Sequence, residues 1–337
     1  MKAVGLKEYL PINDTNSFID IDIEKPARLG EREMLVEVKA ISVNPVDTKV
    51  RSPKQRIEED YRILGWDASG IVTKLGSNCT LFEVGDEVYY AGAFDRSGTN
   101  ANYHVVDERI VGFKPRNLDF ENAAALPLTV LTAWEALYDR LNIRAKKDDG
   151  KTILIINGAG GVGSIAIQLA KWIGLRVIAT ASRDESAEWV TSLGADYVIN
   201  HHTSLSHELN EIDVNGVDFI LCLHDTEMHW DDMCEVIKPE GKISSIVGTK
   251  GPVDLGLLMD KSVSFHWEFM FTRARYETVD MIRQHEILNR VAEMFEQNQL
   301  KPTLTEKLSP INAENLRKAH AAIESGKTIG KIVLSDF

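Results

Sequence analysis

Residues 158 to 163 read Gly158-Ala159-Gly160-Gly161-Val162-Gly163, the spacing G-x-G-x-x-G, between an apolar run, ILIIN, and an amphipathic one, SIAIQLAKWIG. In a strand-turn-helix frame this spacing seats a diphosphate. Gly158 permits the tight turn, Gly160 lets backbone approach the phosphates, and Gly163 lets the helix pack on the strand. The amides of the turn, Gly161 and Val162 included, then face the ligand with the positive end of the helix dipole. The next apolar run, LRVIATAS, ends in Ala181-Ser182-Arg183, where a carboxylate would hold the ribose 2′-hydroxyl of NAD. A hydroxyl donor and a guanidinium suit a 2′-phosphate instead, which carries roughly −1.5 to −2 charge near neutrality. NADPH is therefore the expected cofactor, held at its 2′ end by Ser182 and Arg183. In the other reading Arg183 pairs with Asp184 and Glu185, and the cofactor is NAD.

Around that turn, short apolar runs alternate with amphipathic ones: TILIIN, SIAIQLAKWIG, RVIATAS, SAEWVTSLG, DYVIN, VDFILCL, MHWDDMCEVIKPEG, KISSIVG. Buried parallel strands joined by crossover helices read this way. Residues 125–270 are thus expected to form a doubly wound parallel sheet of the α/β class, opened by the helical segment ENAAALPLTVLTAWEALYDRLNI. Ligands of such sheets lie beyond the strand C-termini, here Asn200, Leu223 with His224, Val247 with Gly248, and Phe269 to Phe271. His201 and His202, next to Asn200, read as a solvated loop, the alternative being contact with the adenine. The first 124 residues differ in texture: MLVEVKAISV, SGIVTKLG and VGDEVYYAG, separated by turn signals such as Asn44-Pro45, describe a strand-rich domain. RYETVDMIRQHEILNRVAEMFEQNQL has the periodicity of one long helix ending near Lys301-Pro302, AENLRKAHAAIESG that of a second, and Gly330 to Leu334 reads as a closing strand. Residues 271–337 are expected to return and complete the first domain, making it discontinuous.

A length of 337 residues exceeds what one hydrophobic core usually serves, which agrees with two domains. Hydrophobic residues at 44% and charged residues at 26% exclude a disordered or low-complexity chain. The formal net charge of −13 repels phosphate backbones, so no nucleic-acid partner is expected. No stretch has the 18 or so apolar residues of a membrane span, and the N-terminal residues lack the apolar core of a signal peptide. The chain is expected in the cytoplasm with no membrane partner, and three irregularly spaced cysteines, Cys79, Cys222 and Cys234, fit a reducing compartment.

The order of parts resembles the medium-chain dehydrogenase/reductase superfamily over essentially the whole chain. The specific matches are Val43-Asn44-Pro45-Val46-Asp47, Gly65-Trp66-Asp67-Ala68-Ser69-Gly70-Ile71-Val72, Val84-Gly85-Asp86-Glu87-Val88, Leu131-Thr132-Ala133-Trp134 and the glycine motif. Together they resemble the quinone oxidoreductase branch, and most closely its zinc-type alcohol dehydrogenase-like subgroup. The resemblance implies a GroES-like strand-rich catalytic domain, a Rossmann domain, an active site in the cleft between them and a homodimer. It also sets Asn44, Trp66 and Leu128 where zinc alcohol dehydrogenases hold their catalytic metal with Cys, His and Cys. None of the three is a plausible zinc ligand, and residues 91 to 102 lack the cysteines of a structural zinc lobe. No metal is expected. The remaining metal candidate, Cys222 with His224 and His229, reads better as a cofactor-lining loop.

For the catalytic pocket the expected residues are Asn44, as a donor to a substrate carbonyl, Asp47, orienting its neighbours, and Trp66, as a wall. Their alternatives are an Asn-Pro turn and a core tryptophan. The resemblance also implies that Thr132 contacts the nicotinamide and that Lys331 reaches the cofactor or substrate; otherwise Thr132 bonds its own helix turn and Lys331 is an exposed strand lysine. Related quinone reductases carry a tyrosine at the position of Lys49, and the nearest downstream tyrosine is Tyr61, so no proton donor is assigned. The expected activity is NADPH-dependent, zinc-independent reduction of quinones or α,β-unsaturated carbonyls. The rivals are a zinc-dependent alcohol or aldehyde dehydrogenase and a catalytically lapsed NADPH-binding sensor or structural protein.

Overall fold

A computed structural model describes residues 1–337, which divide into two compact units: Met1–Leu128 with Phe271–Phe337, and Thr129–Met270.

The second unit is built on a six-stranded parallel sheet. Its strands run in the spatial order Tyr197–Ile199, Arg176–Thr180, Thr152–Ile156, Val217–Cys222, Ile237–Ser245, Ser264–Trp267. This is the 3-2-1-4-5-6 order of a dinucleotide-binding sheet, with its switch point between the first and fourth strands. Every residue of Thr152–Ile156 is buried, as a strand with helices on both faces must be. Register aligns Ile155 with Ala179 and Ile156 with Cys222, which brings Asn157, Ala181 and Leu223 to one edge.

The first unit carries a seven-stranded sheet in the order Leu304–Leu308, Lys331–Ser335, Glu33–Val43, Ala68–Leu75, Glu87–Tyr90, Val111–Phe113, with Tyr103–Asp107 also paired to Glu33–Val43. Antiparallel register matches Ile332 with Val43, and Ala68 with Ile41. Asn44, Lys331 and Asp67 therefore emerge from three neighbouring strands at one end of the sheet. A smaller sheet pairs Lys2–Tyr9 with Ile19–Asp22 and Lys54–Ile63. The stretch around Tyr61 is its outer strand, and Tyr61 lies exposed on it.

The helical segment from Glu121 comes in three pieces: Phe120–Ala124 stops before Pro127, which opens Pro127–Trp134, and Glu135–Arg140 widens into a π-helix with Leu141 N–H donating to Ala136 O at 2.9 Å. Proline has no N–H for a continuous helix and suits its first turn. The long tail helix is shorter than its periodicity suggests, Arg283–Glu296. Left-handed backbone at Glu277 (φ 42°) and Asn298 (φ 56°) interrupts the chain before and after it. The second tail helix is Ala313–Glu324.

Candidate functional site

In the second unit the glycine turn joins the strand Thr152–Ile156 to the helix Gly161–Ile173, with Gly160 at the helix cap. Thr180 pins the turn from the adjacent strand: Asn157 N–H donates to Thr180 Oγ1 at 2.8 Å, and Gly158 N–H to Thr180 O at 3.0 Å. The left-handed residue is Asn157, at φ 66°, and not Gly158. What Gly158 provides is space, since a Cβ there would stand 2.9 Å from Ala179 Cβ. Gly163 is stricter: a Cβ would lie 2.3 Å from Gly158 O, so the helix rests directly on the turn. Gly160 is the contrast, because a Cβ there would meet nothing nearer than Asn157 Nδ2 at 3.7 Å. The room beside Gly160 adjoins a first helical turn whose amides have no intrahelical acceptors. Those features fit a diphosphate.

Ser182 and Arg183 are exposed one strand away, just past Arg176–Thr180, with Arg183 capping the helix Asp184–Ser192. Asn200 follows Tyr197–Ile199, with its N–H donating to Glu208 at 2.9 Å and its side-chain oxygen accepting from His202 N–H at 3.0 Å. Leu223 is buried and donates to Ile156 O at 3.2 Å, whereas His224 beside it is exposed. Val247 and Gly248 follow Ile237–Ser245, and Val247 O accepts from the Thr226 hydroxyl. Phe269 is exposed beyond the last strand; Thr132 is buried within Pro127–Trp134.

His224 Nδ1 lies 3.2 Å from His229 Nε2, and the His201 ring lies 6.1 Å from each of theirs. Burial and the neighbouring imidazoles hold His201 down at about 4 and lower His229 as well. Cys222 Sγ points to His224 O at 3.8 Å. No three His, Cys, Asp or Glu side chains stand together as a metal-binding group.

In the first unit a closed polar cluster collects at the sheet end. Asn44, Asp47, Asp67 and Lys331 are 1%, 1%, 0% and 3% exposed. Asp67 Oδ1 accepts from Leu128 N–H at 2.8 Å. Its Oδ2 accepts from Asn44 Nδ2 at 2.8 Å and from the Lys331 ammonium at 3.1 Å. Lys331 also donates to Asn44 Oδ1 and, at 3.2 Å, to Val43 O. Asp47 caps the helix Pro45–Arg51 by accepting from Asn44 N–H at 2.8 Å. Burial pushes the Asp47 carboxyl up to about 7, against the lowering hydrogen bond from Asn44 and the Lys331 charge. Burial likewise raises Asp67 and lowers Lys331.

These contacts revise the expected roles. Asn44 gives its amide hydrogens to Asp67 and, at 3.4 Å, to Trp66 O. Lys331 is not an exposed strand lysine; it is the cation of a buried cluster. Trp66 is core: its ring stacks on Phe94 at 5.4 Å and meets Phe271 edge-on at 6.0 Å, while its Nε1 donates to Ala93 O at 3.2 Å. Phe271 thus joins an aromatic trio of the first unit. Asp67, the hub of the cluster, was absent from the expected site although it sits in the run GWDASGIV, where a lone acid among apolar residues signals a buried charge that needs partners.

At the three positions of a catalytic zinc the donor set does not fit the metal: an amide already spent on Asp67, an indole that donates to a carbonyl, and the hydrocarbon of Leu128.

A GroES-like strand-rich unit with a dinucleotide-binding sheet and its glycine turn defines a pyridine-nucleotide-binding oxidoreductase. Family comparison agrees. Residues 30–116 match the alcohol dehydrogenase GroES-like domain, and residues 193–334 match the zinc-binding dehydrogenase family. A zinc-type alcohol dehydrogenase-like protein of Staphylococcus epidermidis is 42% identical over 99% of both chains. An NADPH-dependent alkenal/one oxidoreductase of Arabidopsis thaliana is 30% identical over 91% of this chain and 72% of its own. Among solved structures, a Rhizobium etli protein assigned to the zinc-dependent alcohol dehydrogenases superposes with a TM-score of 0.94 at 48% identity, covering 100% of this chain and 98% of the other. The Escherichia coli quinone oxidoreductase complexed with NADPH superposes at 0.81 with 25% identity, covering 99% and 100%. The chain belongs to the medium-chain dehydrogenase/reductase superfamily.

Proposed function

We propose that this chain is an NADPH-dependent, zinc-independent reductase of quinones or α,β-unsaturated carbonyls. The observation that carries the reading is the set of side chains at the zinc positions, Asn44, Trp66 and Leu128, none of which offers a metal a free donor. Oxidation of an alcohol would lose the Lewis acid that stabilises its alkoxide. Reduction of an electron-poor double bond needs no metal, because its developing oxyanion is met by hydrogen-bond donors. The Arabidopsis relative's name gives NADPH and alkenals or alkenones, and the Escherichia coli structure pairs quinone reduction with NADPH.

The coenzyme supplies the hydride when bound. The chain's task is to hold and align it. Amides of Gly158, Gly160, Gly161, Val162 and Gly163 would seat the diphosphate, and Ser182 with Arg183 the 2′-phosphate. Asn200, Leu223, His224, Val247, Gly248, Phe269 and Thr132 would line the remainder. Asn44, Asp47, Asp67 and Lys331 fix the frame of the catalytic unit by closing a buried network. The strand Ser264–Trp267 is one of the two edges of the parallel sheet, and its Trp267, 48% exposed, supports a homodimer through that edge.

The test is parallel turnover of NADPH with quinones, enals and alcohols. Consumption with the first two supports the reading. Oxidation of alcohols alone would replace it with the dehydrogenase, and coenzyme binding without any turnover would leave a sensor.

A further inference from the structure

The second unit holds a second buried ionic group, away from the glycine turn. Glu135 opens the π-helix Glu135–Arg140, and Glu268 follows the strand Ser264–Trp267. Both side chains are fully shielded from solvent. Arg140 serves both: its Nε lies 2.8 Å from Glu268 Oε2, and its Nη2 lies 3.9 Å from Glu135 Oε2. Two buried carboxylates facing one guanidinium leave an uncompensated negative charge, and a low-dielectric interior removes such a charge by keeping one proton. The other titratable groups nearby are Lys242 on the adjacent strand, whose ammonium donates to Leu141 O at 2.9 Å, and His266 on the strand before Glu268, which burial and the Lys242 and Arg140 charges push toward its neutral form. The helix Pro127–Trp134, which leads into the π-helix, carries no charged residue. Burial raises Glu268 to about 9, with the Glu135 carboxylate adding to the rise and Arg140 opposing it.

The position gives this pair its use. Thr132 stands one helical turn before Glu135, and Phe269 directly follows Glu268. A π-helix widens the backbone at a cost and recurs at functional sites. We propose that Glu135 and Glu268 share one proton and act as a positioning joint, locking the strand exit that carries Phe269 to the helix that carries Thr132. The positioning role rests on the coenzyme reading above; the shared proton does not.

The experiment compares full-length wild type with Glu268→Gln and Glu268→Ala. In the unfolded chain Glu268 ionises near the ordinary glutamate value, whereas the folded chain keeps its proton to higher pH. Wild type must lose stability as pH rises from about 5 to about 9 through this group. The glutamine amide keeps a donor for Glu135 and does not titrate. The melting temperature of coenzyme-free Glu268→Gln should therefore gain on wild type steadily across that range; parallel curves would overturn the shared proton. NADPH binding at pH 7 should stay within about twofold of wild type in Glu268→Gln, and turnover should fall about tenfold or more in Glu268→Ala through misalignment. Wild-type turnover in the alanine variant would overturn the positioning role. A wild-type protein that binds neither NADPH nor NADH would defeat the coenzyme reading and the positioning role with it, while the melting comparison would still decide the proton.

Discussion

Asp67 engages both carboxylate oxygens at once, one on the Leu128 amide and the other on Asn44 and Lys331. Truncating it leaves the Lys331 ammonium buried without its bonded carboxylate, with Asp47 acting on it only through space, so Asp67→Ala should cost about 3 to 5 kcal/mol in a denaturant titration. A loss below about 1 kcal/mol would mean that water or a rearranged Asp47 takes over. Arg183 makes the opposite kind of prediction, since its side chain lies exposed at a helix start. Arg183→Ala should weaken NADPH by about 1.5 to 3 kcal/mol for each charge-assisted hydrogen bond lost, with little change for NADH, as read by fluorescence titration. Equal loss for both coenzymes would remove its role at the 2′-phosphate. The two residues also differ in how legible they were. Arg183 is adjacent in sequence to the strand that places it. Asp67 acquires its meaning from residues 23 and 264 positions away, which only strand register brings together.

At the scale of the element, the glycine turn separates packing from binding. Gly163→Ala would drive a Cβ into Gly158 backbone, and overpacking of this kind costs about 1 to 3 kcal/mol. Gly160→Ala makes only ordinary van der Waals contact with Asn157, so its melting temperature should match wild type while its affinity for NADPH falls. Thermal melts with and without coenzyme check both; a Gly160→Ala protein that binds normally would move the diphosphate elsewhere. The turn was readable because its signal is local: a run of apolar β-formers, glycines at fixed offsets, then an amphipathic helix. The π-helix Glu135–Arg140 was not, because no residue type marks a widened turn and Glu135 reads as an ordinary surface position until Glu268 is seen facing it. The tail helix was overextended for a related reason. Periodicity continues through residues 276–282, but left-handed backbone at Glu277 and isolated turns, Met281 N–H to Thr278 O and Arg283 N–H to Asp280 O, break the ladder.

For the whole molecule, alternating apolar and amphipathic runs were enough to indicate a doubly wound sheet, and the strand-rich texture of the first hundred residues indicated the other unit. Side-chain commitments were not legible: nothing in the sequence tells that Asn44 and Lys331 both bond to Asp67 in one buried network. No helix is long and apolar enough to cross a membrane. The family's zinc chemistry, by contrast, is addressed directly by the residues at its ligand positions. The deciding measurement follows NADPH oxidation at 340 nm with 9,10-phenanthrenequinone, on protein whose zinc content has been determined and which has been treated with a chelator. The account predicts sustained consumption at the same rate before and after treatment, with substoichiometric zinc. Loss of the rate on chelation and its return with added zinc would contradict it.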